Sequence, residues 1–118
     1  MIQSIAFTMY PVTDMVRSKK FYEEVLGLKQ GANFGDQWVE YDLGESTFAI
    51  TTMEVGRTPG AKGAVVGFEV ADLEGFMQRL KRNSVKLILE NYETPVCRMS
   101  VIEDPDQNQI TIHKRHPA

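Results

Sequence analysis

At 118 residues, with 42% apolar and 25% charged side chains, the chain is the size of one globular domain and long enough to bury a core without disulfide or metal staples. A net charge of −3 without a basic cluster argues against nucleic acid as a partner, because phosphate binding needs a concentrated positive face; Lys114-Arg115 is a short tail feature. No apolar run approaches the roughly 18 residues that span a bilayer, and MIQSIAFTMYPV lacks a basic leader region, so neither membrane insertion nor a signal peptide is expected.

Residues 3–12 alternate and are rich in β-formers, which predicts a strand ending at Pro11. Asp14 stands where a helix N-cap belongs. Behind it Met15, Ser18, Tyr22, Val25 and Leu26 share one helical face, with Phe21 beside them, and Gly27 is the stop. A weaker strand is expected near 28–33, then strands at 37–44 and 46–53 joined by a turn at Gly44-Glu45. In 37–44 the apolar set Val39, Tyr41 and Leu43 is expected to meet the helix. That leaves Trp38, Glu40 and Asp42 toward the cleft or solvent, and the rival register would swap the two faces.

Residues 54–62, EVGRTPGAK, have the composition of a linker. The pattern then starts again. A strand is expected at 63–70, and Asp72 caps a helix with Leu73, Phe76, Met77 and Leu80 on one face. Strands follow near 86–90, 96–102 and 108–114, the last two joined by the turn tetrad Asp104-Pro105-Asp106-Gln107. Val12-Thr13-Asp14-Met15 returns 58 positions later as Val70-Ala71-Asp72-Leu73, and Tyr10 returns as Phe68. The chain therefore reads as two copies of a β-α-β-β-β unit, module one 1–57 and module two 62–118, within a single domain. Cys97 is the only cysteine and cannot form an intrachain disulfide, which fits a reducing cytoplasm; it reads as a buried structural thiol. The six methionines are dispersed and read as core filler or pocket lining.

Three segments, YPVTDMVRSKKFYEEVLGL, VGFEVADLEGFMQRLK and CRMSVIEDPDQNQITI, resemble the vicinal oxygen chelate superfamily of glyoxalase I, extradiol dioxygenases and bleomycin resistance proteins. The resemblance covers nearly the whole chain. It implies an α+β fold of two tandem βαβββ modules, with curled mixed sheets around a cleft and helices on the outer faces. One departure is Gln107, where the family usually has Gly, so the closing turn is expected to be distorted or strained.

Family members that use a metal usually take one His, Glu or Gln ligand from each of the first, fourth, fifth and eighth strands. Counted from the two Asp caps, those positions fall on Phe7, on Ile50 (or Thr51 one residue on), on Val65 and on Thr111. Such residues do not make a three- or four-ligand site, so no metal and no other cofactor is expected.

The resemblance then implies a cleft lined by Phe7, Met9, Trp38, Glu40, Phe48, Ile50, Val65, Arg98, Thr111 and His113. Glu40 beside Trp38 suits a cationic or amino-bearing ligand. Arg98 can pair with Glu40, bind a ligand carboxylate or tie strand to loop. His113 shares a strand face with Thr111 and is either a ligand contact or acid–base group, or a partly exposed histidine at a strand end. Glu40 and His113 are the best catalytic candidates, although no reaction follows from them.

The expected function is metal-free binding of a small, partly apolar molecule, in a homodimer like those of the bleomycin resistance branch. Two alternatives stay open. One is a metal-dependent lyase, isomerase or dioxygenase with relocated ligands such as Glu40, Glu69 and His113. The other is a non-catalytic regulatory or interaction domain.

Overall fold

The structure is a computed structural model and describes residues 1–54, 57–60, 63 and 65–117. Four residues of the expected 54–62 linker, and position 64 of the expected 63–70 strand, lie outside the described residues. Backbone contacts divide the chain into two units, Met1–Ala61 and Lys62–Ala118.

The first unit runs β1 (Thr8–Pro11), α1 (Met15–Lys19), a π-helical segment (Lys20–Val25), β2 (Gln30–Phe34), β3 (Trp38–Leu43) and β4 (Ser46–Thr51). The second runs β5 (Val66–Glu69), α2 (Leu73–Arg82), β6 (Leu87–Glu93), β7 (Cys97–Glu103) and β8 (Gln109–Arg115). Each unit holds one mixed four-stranded sheet, ordered β1-β4-β3-β2 and β5-β8-β7-β6. In both, the first strand lies parallel to the last and the remaining pairs are antiparallel. The chain is α+β, and the 58-residue repeat is structural. Asp14 accepts the Arg17 N–H at 3.1 Å and Asp72 accepts the Gly75 N–H at 3.0 Å, each satisfying an orphan donor of a helix start.

The strands lie close to where the alternation puts them, with two late starts: the strand expected from residue 63 begins at Val66, and the first strand falls further behind. The first was expected from residue 3 but begins at Thr8, and Ile2 and Ile5 are exposed. β-forming residues need a partner strand, and the parallel pairing with β4 starts at Thr8–Phe48.

The helix of the first unit is irregular. Leu26 N–H reaches the Phe21 carbonyl at 3.0 Å, a five-residue step, and Gly27 at φ 81° ends the run. The widened turn lets consecutive Phe21 and Tyr22 both be buried, alongside Met15, Ser18 and Leu26. Tyr22 packs on Phe48 and Tyr41 of the sheet at ring separations of 5.3 and 6.2 Å. Val39 and Tyr41 are fully buried, so the expected apolar face of β3 does meet the helix, except for Leu43 at the exposed strand end. The Tyr41 hydroxyl donates to Glu23 Oε2 at 2.9 Å; burial first, then that carboxylate, raises the phenol far above its ordinary value.

In the second unit Leu73, Met77 and Leu80 of α2 are buried, and α2 packs on β8. Ile102, Ile110 and Ile112 are fully buried in that core. The tetrad 104–107 keeps its turn: Gln107 N–H bonds the Asp104 carbonyl at 3.0 Å, and Asp104 Oδ1 accepts from Asp106 and Asn108 N–H. Gln107 adopts φ 67°, the left-handed conformation a glycine would take without steric cost. The turn is therefore not remodelled; the strain sits in one residue.

Candidate functional site

Strand register decides which side chains share a face, because residues directly opposite one another point the same way. In the first unit β4 pairs Phe48 with Tyr41 and Thr8, and Ile50 with Val39 and Tyr10. This is the face that carries Tyr22. Phe48 and Ile50 are 2% and 0% exposed, so both belong to the helix-side core and not to a ligand-lining surface. The expectation for these two is corrected by one residue of register. Ala49 and Thr51 occupy the opposite face, paired with Glu40 and Trp38 on β3 and with Met9 and Pro11 on β1.

That opposite face brings together four expected site residues. Phe7, just ahead of β1, meets Trp38 edge to face at 5.0 Å and 88°. Since β4 lies between β1 and β3, the ring pair crosses β4 on the side that carries Ala49. Met9 is half-buried beside Ala49. The Trp38 indole N–H donates to Glu40 Oε2 at 3.0 Å, and Phe34 stands opposite Trp38 on β2. Phe7 remains 45% exposed and Phe34 62%, so aromatic surface on this face is open. Thr51 is buried and spent structurally: its hydroxyl donates to the Gln37 carbonyl at 2.7 Å and accepts the Met53 N–H at 3.0 Å.

In the second unit Thr111 lies between Gly67 and Val101, and His113 between Glu69 and Met99, on the face away from the buried Ile110 and Ile112. Val65 precedes β5 and is exposed. His113 Nδ1 lies 2.5 Å from Glu69 Oε1, while Glu69 Oε2 accepts the Arg115 N–H at 2.8 Å. The backbone donor first, and the His113 ring second, hold the Glu69 carboxyl below the ordinary glutamate range. His113 is thus a ring oriented by a carboxylate, with Nδ1 engaged.

Arg98 does not join His113. Its register partners are Lys114 and Glu93, one residue out of phase with Met99 and His113, and its Nε bonds Glu93 Oε2 at 2.9 Å. It lines a shallow hollow of about 250 Å³ with Glu74, Met77, Gln78, Lys81, Glu90 and Asn91 on the α2 side. Of the three readings of Arg98, the pairing with Glu40 is not formed; its ion pair with Glu93 ties β7 to the end of β6. Cys97 is buried, as expected of a structural thiol, with Thr94 Oγ1 at 3.1 Å from its sulfur.

The metal ligands of the resemblance do not fit these residues. Phe7 and Val65 offer no donor atom, Thr51 is engaged by its own backbone neighbours, and Thr111 alone is not a site. Among the described residues no three His, Cys, Asp or Glu side chains group so as to hold a metal ion. No helix among them is long and apolar enough to cross a membrane.

Sheet order, duplicated caps and motif spacing together define a tandem βαβββ protein of the glyoxalase-like class. The family model for the Glyoxalase/Bleomycin resistance protein/Dioxygenase superfamily matches residues 4–112, and the chain belongs to that superfamily. Among solved structures it is similar to TnmS3, an antibiotic binding protein from Streptomyces sp. CB03234, with 21% identity, TM-score 0.81 and 98% of each chain covered. A glyoxalase/bleomycin resistance protein from the same organism is 23% identical with TM-score 0.78, over 92% of this chain and 98% of that one. A protein of unknown function from Agrobacterium tumefaciens str. C58 is 27% identical with TM-score 0.78, over 97% and 95%. None of the curated proteins matches the chain.

Proposed function

We propose that this chain binds a small, partly apolar organic molecule through its own side chains, without a metal ion. The observation that carries the reading is the chemistry at the positions the family resemblance implies for metal ligands: Phe7 and, on β4, Ala49 or the self-satisfied Thr51 in the first unit, and Val65 and Thr111 in the second. None of these side chains is the His, Glu or Gln that the resemblance implies for a metal-using member. Ligand sites in general are mainly apolar with a few placed polar groups. Such handles are present on each sheet taken by itself: Glu40 beside Trp38 on the first and the Glu69-oriented His113 on the second. That TnmS3 binds an antibiotic on the same fold supports the reading by analogy.

A homodimer in the cytoplasm completes the proposal. β1 and β2 are sheet edges in one unit and β5 and β6 in the other, and edges are usually paired or covered. The test is a thermal-shift screen of aromatic and cationic compounds against protein held in chelator, since a ligand of the folded state raises its melting temperature. Saturable shifts in chelator support the proposal. Shifts that appear only when a divalent metal is restored would overturn it.

A further inference from the structure

The open face of the first sheet has a chemistry more specific than apolar. Its rings are Phe7, Trp38 and Phe34, and its charged groups are the carboxylates of Glu40 and Asp42. None of the four strands β1 to β4 contains Lys, Arg or His. The indole N–H fixes Glu40 through Oε2, and among the described residues Oε1 has no protein donor. The same bond fixes the orientation of the indole, whose edge-to-face contact with Phe7 limits its rotation further. Gly31 leaves room for Asp42: a Cβ there would come within 2.7 Å of Asp42 Oδ2.

From these observations we infer that this face recognises an organic ammonium group, seated against the Trp38 and Phe7 rings with Glu40 Oε1 as its counter-charge. The inference rests on the binding reading above and narrows its ligand class to molecules that join a cationic nitrogen to an apolar body. A cation over an indole face is favoured by the ring quadrupole, and Trp is the strongest of the aromatic side chains in this role. The nearby carboxylate adds Coulomb attraction, and the lack of any cationic side chain on the four strands removes the competing internal partner. An anionic ligand meets the opposite: two carboxylates and no donor with a positive charge.

The experiment uses a built-in reporter, because Trp38 is the only tryptophan of the chain. The full chain, held in chelator, is titrated with phenyltrimethylammonium, with benzyl alcohol as the neutral ring and with benzenesulfonate as the anionic ring, reading Trp38 emission. The expected result is a saturable change with the cation, about tenfold tighter than with benzyl alcohol and absent with benzenesulfonate. Glu40→Gln can still accept the indole N–H; it should weaken the cation about tenfold, leave benzyl alcohol unchanged and keep the unfolding midpoint. Equal binding of cation and neutral ring, or a Glu40→Gln variant that binds the cation as well as the parent, overturns the ammonium inference while leaving the broader binding reading intact. Binding of none of the three probes overturns the inference too, and the broader reading is then decided by its own thermal-shift screen.

Discussion

Truncating Ile50 to alanine tests the register on which the whole site assignment stands. Ile50 is fully buried, opposite Val39 and Tyr10, on the face covered by Tyr22. The substitution removes three buried carbons, worth about 2.4 kcal/mol at roughly 0.8 kcal/mol each. Its neighbours Tyr10 and Val39 are held by the sheet ladder and cannot collapse fully into the gap, so a cavity term of about 1 kcal/mol adds to this. The expected loss is about 3–4 kcal/mol, within the roughly 2–5 kcal/mol range for buried Ile or Leu to Ala. For a chain of this size that lowers the melting temperature by about 10–20 °C. Urea unfolding followed by circular dichroism measures it, with an unchanged m-value showing that the cost is in the folded state. A loss below about 1 kcal/mol would mean that Ile50 lies on an open face. The placement of Ala49, Thr51, Trp38 and Glu40 together would then be wrong by one residue.

Gln107→Gly should stabilise the protein by about 0.5–1 kcal/mol, the left-handed backbone penalty at φ 67° less the extra chain entropy of glycine, and a loss in urea would contradict it. Ser18→Ala should also stabilise, by about 1 kcal/mol, because the Ser18 hydroxyl is fully buried without a hydrogen-bond partner among the described residues; a midpoint lowered in urea would reveal a partner role for it. The folded carboxyls of Glu69 and Glu93 titrate below the ordinary glutamate value of 4.5, so each contributes stability that is present above that value and fades as pH falls through the lower folded one. For Glu69 the Arg115 N–H is the largest cause and for Glu93 the Arg98 side chain. Glu69→Gln should therefore lower the melting temperature at neutral pH and converge with the parent in acid; a constant gap from pH 7 to pH 3 would refute the linkage.

Element order was legible in the sequence because it is written in local chemistry. Asp14 and Asp72 cap, Gly27 stops, and the tetrad at 104–107 turns, each within a few residues of the backbone it controls. On β3 the alternation of Val39 and Tyr41 with Trp38, Glu40 and Asp42 was legible, while the choice of which set meets the helix needed the buried contacts of Tyr41 with Tyr22. Alternation failed on β4. Phe48 to Thr51 are all buried, so burial does not alternate there, and Ile50 reads as well on one face as on the other. The antiparallel register with β3 across the turn at Gly44-Glu45 and the parallel register with β1 resolve it together, and the second of these joins residues forty apart that no local signal pairs. Arg98 was misplaced for the same reason: β6 carries register shifts between Leu87 and Tyr92, and only the paired strand shows Glu93 beside Arg98. The π-helical turn left one trace, adjacent Phe21 and Tyr22 on a helix that buries both.

Native mass spectrometry of protein purified without chelator, and then offered zinc, nickel, manganese and iron in turn, tests the central claim most directly. The account predicts the bare chain, or its dimer, free of stoichiometric divalent ions in every case. Phe7, Val65 and Thr111 cannot coordinate one, and no third acid, His or Cys joins Glu69 and His113 among the described residues. One tightly held divalent ion per chain, lost on Glu69→Gln or His113→Ala, would contradict the account and make the protein a metal-dependent member of its superfamily with relocated ligands.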